Sequence, residues 1–137
     1  MNHDDITRNK AAIIERSLRR MKEEYNLDSD LKQQTHIDAL ILNLERACQA
    51  AIDLAMHLVA EKHLGMPQSS ADAFRLLFKS GIISEQTARS MISMTGFRNV
   101  AIHEYQSLNM NIVRSIASEK WISLVDFCQE LGLKIKP

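Results

Sequence analysis

One apolar seam runs from residue 37 to residue 59 without a glycine or a proline, and it favours a helical fold. Its apolar residues recur at steps of three and four, the spacing of one face of an α-helix. Asp28 or Ser29 is an available N-cap and Gly65 an available C′ residue, so the pattern predicts a helix ending near Leu64. The seam consists of Ile37, Leu40, Ile41, Leu44, Ala47, Cys48, Ala51, Ala55, Leu58 and Val59.

This predicted helix is too long for a compact monomer of this size. About 35 residues span roughly 50 Å, whereas a 137-residue domain is much narrower. Ile52, Leu54 and Met56 place apolar side chains on further sides of the same helix. A second copy covering the extra apolar face is the simplest solution, so we expect a homodimer.

Four further segments have helical patterning and cap residues. Glycine (four) and proline (two) are scarce, which permits long helices. The sequence therefore predicts one all-α domain over residues 1–137, a bundle of about five helices. The expected segments are Asp4 to Tyr25, Ala71 to Ser80 with Phe74, Leu77 and Phe78 inward, a helix capped by Ser84 that runs into the motif described below, and Ile112 to Leu131 opened by Asn109 or Asn111.

The charge balance argues against loose binding to nucleic acid. The chain has 17 basic and 17 acidic residues, a formal net charge of zero. Proteins that bind mainly through phosphate contacts are usually basic, so RNA contacts here must come from a local patch. The cluster at Arg16, Arg19, Arg20 and Lys22 is either a solvated face balanced by neighbouring glutamates or such a patch.

The chain shows no sign of export, of a membrane span, of a disulfide or of a metal centre. No apolar stretch approaches roughly 18 residues, and the polar, acidic start is unlike a signal peptide. Cys48 and Cys128 are expected to be buried thiols. We therefore expect a reduced, cytosolic setting and no cofactor. His36, His57 and His63 lack the spacing of a His-Glu-x-x-His site, so they are expected to pack or face solvent.

Residues 97–105, FRNVAIHEY, gather chemically active side chains at the end of a helical pattern. On an ideal helix Asn99 and His103 share a face, whereas Arg98 and His103 are offset by about 140°. Arg98 and His103 therefore converge only if the helix distorts or if two copies line one cleft. Tyr105 follows at a helix end that is expected to expose its hydroxyl.

These groups suit cleavage of an RNA phosphodiester without a metal. His103 is the motif side chain that exchanges protons near neutral pH, so it is the candidate acid or base. Arg98 carries a permanent charge whose planar fork matches phosphate oxygens. Asn99 is a supporting residue that orients the histidine or binds a phosphate oxygen.

The segment RNVAIHEY resembles the motif of the HEPN superfamily, and most of all that of HepT-like toxins encoded beside minimal nucleotidyltransferase antitoxins. The segment AIDLAMHLVAEKHLGMPQSSADAF and the order of elements extend the resemblance over nearly the whole chain. The resemblance implies a homodimeric, metal-independent endoribonuclease that uses Arg98 and His103 in a cleft between subunits. It also implies a cognate nucleotidyltransferase antitoxin that silences the toxin by attaching AMP to Tyr105.

Other interpretations remain open from the residues alone. Glu104 departs from the commonest pattern, and we expect it either to pair with Arg98 or to repel RNA. In the structural interpretation Arg98 and Glu104 form a surface ion pair, His103 caps a helix and Tyr105 packs. At the level of function, the alternatives are a non-catalytic module that binds a nucleotidyltransferase or a nucleotide, and a purely structural helical dimer.

Overall fold

The computed structural model describes residues 3–137, and every regular element in that range is helical. The all-α prediction is confirmed, with six α-helices rather than about five in this range. The predicted last helix is divided by a π-helical turn, Ile116–Lys120, and a 3-10 turn, Tyr105–Ser107, precedes it. The helices are α1 (Asp5–Leu27), α2 (Gln34–Glu61), α3 (Ser70–Lys79), α4 (Glu85–His103), α5 (Met110–Ser115) and α6 (Ile122–Glu130).

Helix α2 is the centre of the bundle. It packs against α1, α3, α4 and α6, and 14 of its 28 residues are buried. Of the three residues that the sequence assigned to an extra apolar face, Ile52 and Leu54 are buried by the chain's own helices and Met56 is partly buried against the core. At 28 residues α2 spans about 42 Å, shorter than predicted. The length and apolar width of α2 therefore do not require a second copy, and a homodimer needs another reason.

The turn before α2 explains why the helix starts later than predicted. The two carboxylate oxygens of Asp28 accept hydrogen bonds from the backbone N–H groups of Lys32 and Gln33, at 3.0 and 2.8 Å. Leu31, the residue just before Lys32, has a positive φ of 54°. Asp28 therefore organises the inter-helix turn instead of capping α2, which begins at Gln34.

The end of α2 also differs from the prediction. His63 is the left-handed residue, with φ of 53°, and its N–H donates to the carbonyl of Ala60 while that of Leu64 donates to Val59. This is a Schellman arrangement in which histidine holds the position expected of Gly65. The helix thus ends at Glu61 rather than near Leu64.

Other predictions from the sequence had mixed outcomes. Ser84 caps α4 through a bond from the Thr87 N–H, and Asn109 caps α5, both as expected. Phe78, predicted to point inward, is 39% exposed. The two cysteines are buried free thiols, and burial raises the pKa of each, Cys48 and Cys128, to about 12. Within residues 3–137, no helix combines the length and the apolar character that crossing a membrane requires.

Candidate active site

The motif is fixed at the C-terminal end of α4 by a buried stripe on that helix. Met91, Met94, Phe97 and Ala101 are buried at steps of three and four, the spacing that holds one helical face against the core. Arg98, next to this stripe, is half-buried, whereas Asn99 and His103 are exposed. Because α4 stays helical as far as His103, Arg98 and His103 keep their offset of about 140° around the axis.

Arg98 lies beside the middle of α2. Burial raises the pKa of the Glu45 carboxyl, and the positive charge of Arg98 offsets part of that rise. The same charge also opposes the rise in the pKa of the buried Cys48 thiol. One guanidinium nitrogen, Nη1, donates to Asn99 Oδ1 at 3.0 Å. The Nε of Arg98 is buried and makes no hydrogen bond to any other part of residues 3–137. The guanidinium therefore keeps donor capacity that its own chain does not use.

His103 occupies the last turn of α4 and is open to solvent. In the described part of the chain no hydrogen bond or ion pair joins His103 to Arg98. Asn99, predicted to orient the histidine or bind phosphate, instead accepts a hydrogen bond from Arg98. A single chain therefore presents the two candidate catalytic groups on different sides of α4.

Glu104 ends the helix and does not neutralise Arg98. Its backbone leaves helical geometry at φ of −139°, and its N–H donates to the carbonyl of Val100 at 2.8 Å. Its side chain is exposed, and across residues 3–137 no ion pair connects it to Arg98. The predicted Arg98–Glu104 surface pair is therefore not formed.

Tyr105 leaves the direction of α4 and turns back onto α2. It begins the 3-10 turn, its ring is half-buried, and its hydroxyl donates a hydrogen bond to the carboxylate of Asp38. Burial and the Asp38 carboxylate together raise the pKa of Tyr105 to about 12. The hydrogen bond from Tyr105 lowers the pKa of Asp38, and the hydrogen bond from Gln34 lowers it by a smaller amount. The chain bends at the helix end as expected, and the hydroxyl at that end is held by a partner on α2.

A cleft of about 540 Å³ opens beside this hydrogen bond. One wall is the first two turns of α2 and the other is the segment from Tyr105 to Met110, so the phenol and the carboxylate lie at its edge. Its volume lies within the roughly 300–1,000 Å³ of small-molecule sites. The lining combines the apolar side chains of Ile37, Ile41, Leu108 and Met110 with the polar side chains of Gln34, Asp38, Tyr105 and Gln106.

A larger groove of about 1,000 Å³ runs along α4, between it and the α5–α6 region. Gly96 is one of the lining residues, and a Cβ added there would meet no atom of the neighbouring elements within 4 Å. Ile112 at its edge is 51% exposed. The groove combines small and polar residues with apolar ones, among them Ser90, Ser93, Asn111 and Ser115 on the polar side and Met94, Phe97, Val100 and Ile112 on the apolar side.

Asp38 and Glu45 are site residues that sequence reasoning missed. They lie seven residues, or about two turns, apart on one side of α2, next to its buried seam. That spacing is visible in the sequence. Nothing local indicates, however, that Tyr105, 67 residues further on, returns to Asp38.

A second cluster of ionisable groups surrounds His57, which the sequence predicted only to pack or to face solvent. His57 Nε2 lies 2.7 Å from Asp4 Oδ2 and 3.4 Å from the Oε2 of Glu61, which is four residues further along α2. These atoms lie within 4.8 Å of one another, close enough to hold a cation. His57 is 12 residues, about 18 Å, along α2 from Glu45, so the cluster is separate from the motif.

Comparison with known proteins supplies a context for this geometry. The family model described as ribonuclease HepT-like matches residues 11–131. The chain is 43% identical over 111 residues to an mRNA nuclease HepT of Shewanella oneidensis, covering 80% of this chain and 84% of that protein. It is 28% identical over 110 residues to a tRNA nuclease HepT of Aphanizomenon flos-aquae, covering 79% and 75%.

The fold also matches a solved toxin–antitoxin complex. The structure of the tri-AMPylated Shewanella oneidensis HEPN toxin, in complex with its MNT antitoxin, superposes with a TM-score of 0.90 at 35% identity. The match covers 95% of this chain and 98% of that one.

Proposed function

Because this chain belongs to the ribonuclease HepT-like family, we propose that it is the toxin of a HEPN/MNT pair and acts as an endoribonuclease on RNA. The observation that carries the proposal is the family match over residues 11–131, which includes the whole segment from Arg98 to Tyr105. Named relatives are an mRNA nuclease and a tRNA nuclease.

Arg98 and His103 are the proposed catalytic residues. The exposed His103 moves a proton, taking it from the attacking 2′-hydroxyl or giving it to the leaving 5′-oxygen. Arg98 donates from the terminal nitrogens of its guanidinium, which Asn99 holds through Nη1, to the oxygens of the pentacovalent phosphorane, where charge accumulates. Asn99 accepts a hydrogen bond from Arg98, which positions the guanidinium. These steps need no metal ion.

A second copy of the chain completes the proposed site. Within one chain Arg98 and His103 face different sides of α4, so a cleft that uses both is best built from two chains. The groove along α4 offers a surface for the partner, since it has no side chain above Gly96 and an exposed Ile112 at its edge. We therefore retain the homodimer, on the evidence of α4 rather than α2.

Tyr105 is the proposed acceptor of AMP from a cognate nucleotidyltransferase antitoxin. Tyr105 bonds to Asp38, and the charge of Arg98 acts on Glu45; these two carboxyl groups are about 10 Å apart along α2. A phosphodiester on Tyr105 therefore lies within reach of the Arg98 charge. It competes with the RNA phosphate for that arginine and fills space in the site.

Cleavage of purified RNA by single-residue variants tests this function. Arg98→Ala and His103→Ala should each lower the cleavage rate by about 100-fold or more. EDTA should leave the wild-type rate unchanged, because no step uses a metal. The matched controls are Arg89→Ala, an exposed arginine on α4, and His63→Ala, an exposed histidine at the end of α2.

Two results would contradict the proposal. Cleavage that persists in both variants would remove Arg98 and His103 from the mechanism, and loss of cleavage with chelator would show a metal enzyme. A wild-type chain that cuts no RNA but still accepts AMP would favour the non-catalytic module.

A further inference from the structure

We propose that Asp38 of α2 is the proton acceptor when AMP is transferred onto Tyr105, so that the toxin supplies a catalytic group for its own modification. This inference rests on the proposed function, in which Tyr105 is the AMP acceptor. It adds a residue 67 positions away in sequence that contacts the reacting oxygen.

The geometry around the phenol selects Asp38. The Tyr105 hydroxyl donates its hydrogen bond to Asp38 Oδ1, and Gln34 Nε2 donates to the same oxygen at 2.7 Å. Gln34 thereby fixes the carboxylate from one turn earlier on α2. The other Asp38 oxygen, Oδ2, accepts neither of these bonds, and the side chain is exposed, so a proton taken from the phenol passes on to water.

Two charged groups act on Tyr105, and only one of them is placed to accept the phenol proton. They are the carboxylates of Asp38 and Glu45, both on α2. Glu45 is half-buried and its charge is offset by Arg98, and it makes no hydrogen bond to the phenol within residues 3–137. Asp38 is ionised near neutral pH, because the hydrogen bonds from Tyr105 and Gln34 lower its pKa. It therefore stands ready to accept a proton.

The chemistry needs such a group. Burial and Asp38 raise the pKa of Tyr105 to about 12, so very little phenolate exists at neutral pH. As the phenol oxygen forms its bond to the α-phosphorus of a nucleoside triphosphate, the bond to pyrophosphate breaks and pyrophosphate leaves with the electron pair. The phenol proton becomes strongly acidic during this step and moves to Asp38. Hydroxyl nucleophiles of phosphoryl transfer commonly give their proton to an aspartate in this way.

The cleft beside the hydrogen bond provides access. Tyr105 and Asp38 both line the opening of about 540 Å³ between α2 and the segment leading to Met110. A triphosphate held by the partner enzyme can therefore approach the phenol oxygen without unfolding the 3-10 turn.

The Asp38→Asn variant separates proton transfer from a structural role. Asparagine is nearly the same size, and its Oδ1 still accepts the phenol hydrogen bond, so the turn stays on α2. The amide, however, is not a base. A role limited to holding Tyr105 in place therefore predicts little change, whereas a catalytic role predicts a large one.

The experiment follows intact mass against time for the purified chain with the proposed cognate nucleotidyltransferase, ATP and Mg²⁺, from pH 6 to pH 9. The wild-type rate should stay nearly flat. The Asp38→Asn rate should be about 10²–10⁴-fold lower at pH 7 and should rise roughly tenfold per pH unit as phenolate forms. Asp38→Glu should recover part of the rate. The matched control is Asp53→Asn, which removes the same charge from α2 away from Tyr105.

Asp38→Asn modified at the wild-type rate, with the same pH profile, would overturn this inference and leave Tyr105 as the acceptor. A wild-type chain that gains no mass, or a Tyr105→Phe chain that gains it equally, would overturn the proposed acceptor and this inference together. Circular dichroism of each variant confirms that the compared chains are folded.

Discussion

A buried carboxylate fixes the residues that surround Tyr105. Glu24 of α1 is 8% exposed and binds Arg20 at 2.8 Å and His36 at 2.6 Å. His36 lies in the first turn of α2, two residues before Asp38. The bonds to Glu24 therefore anchor the end of α2 that presents Asp38 and Gln34 to the phenol.

Replacing Glu24 with glutamine should lower the free energy of unfolding by about 1.5–3 kcal/mol at pH 7, since two bonds to a buried charge are weakened. The hydrogen bond with His36, and to a smaller extent the one from Arg20, lowers the pKa of Glu24 below 4.5 in the folded state. Its contribution is therefore complete above pH 4.5 and is lost as the pH falls through the lowered value. Urea unfolding at several pH values measures this difference.

The exposed neighbour provides the control. Glu23 also binds Arg20 but is half in solvent, so Glu23→Gln should change stability by less than about 0.5 kcal/mol. A Glu24→Gln variant that is as stable as the wild type at pH 7, or whose deficit is unchanged at pH 3, would show that the Glu24 charge does not anchor α2.

The residues of the motif were accessible to sequence reasoning, but their partners were not. Arg98, Asn99, His103 and Tyr105 fall within eight residues, so their types and spacing indicate a chemistry, and their roles stay predictions. Asp38 and Glu45 acquire theirs through packing of α4 on α2, which no local pattern encodes. The contact with Tyr105 also depends on the break at Glu104, which redirects the chain toward α2.

At the level of whole helices, the bundle was predictable because apolar periodicity and caps were clear. Ser84 and Asn109 took their expected cap positions. The ends of α2 were not predictable from the sequence. Asp28, a residue type that often caps helices, instead accepts hydrogen bonds from the N–H groups of the turn before α2. His63 likewise adopts a left-handed conformation normally assigned to glycine. The π-helical turn at Ile116–Lys120 left no mark on the apolar pattern, so one continuous helix was expected.

The predicted homodimer interface lies along helix α4. Gly96 is exposed and a Cβ added to it meets nothing within 4 Å, so we expect a single chain to accept leucine there and to gain about 0.8 kcal/mol of helix propensity. If a second chain packs on this groove, the new side chain collides with it. Light scattering at micromolar concentration should give twice 15.6 kDa for the wild type and near 15.6 kDa for Gly96→Leu.

The control places leucine elsewhere on the same helix. Arg89 is exposed and outside the groove lining, so Arg89→Leu should remain dimeric. A wild type of 15.6 kDa would refute the homodimer. A Gly96→Leu chain that dimerises as tightly as the wild type would move the interface away from this groove.

At the scale of the whole molecule, two surfaces meet the end of α4, and we propose that one supports RNA cleavage and the other the modification that stops it. The groove on the α5 side is the proposed contact with a second copy, which brings Arg98 and His103 into one RNA-cleaving cleft. The cleft on the α2 side holds Tyr105 against Asp38, where AMP transfer is proposed to occur. Residues of the same nine-residue segment, 97–105, line both surfaces, so we expect modification at one surface to affect catalysis at the other.

The most direct test measures RNA cleavage by the purified chain before and after incubation with its nucleotidyltransferase and ATP, alongside Tyr105→Phe treated identically. The wild type should cleave RNA at first and lose that activity as AMP, about 329 Da per unit by its chemical composition, accumulates on Tyr105 and places negative phosphate near Arg98. Tyr105→Phe should keep cleaving, because it lacks the acceptor. A modified wild type that cleaves as fast as the unmodified chain, or a Tyr105→Phe chain that is silenced equally, would contradict the proposed switch.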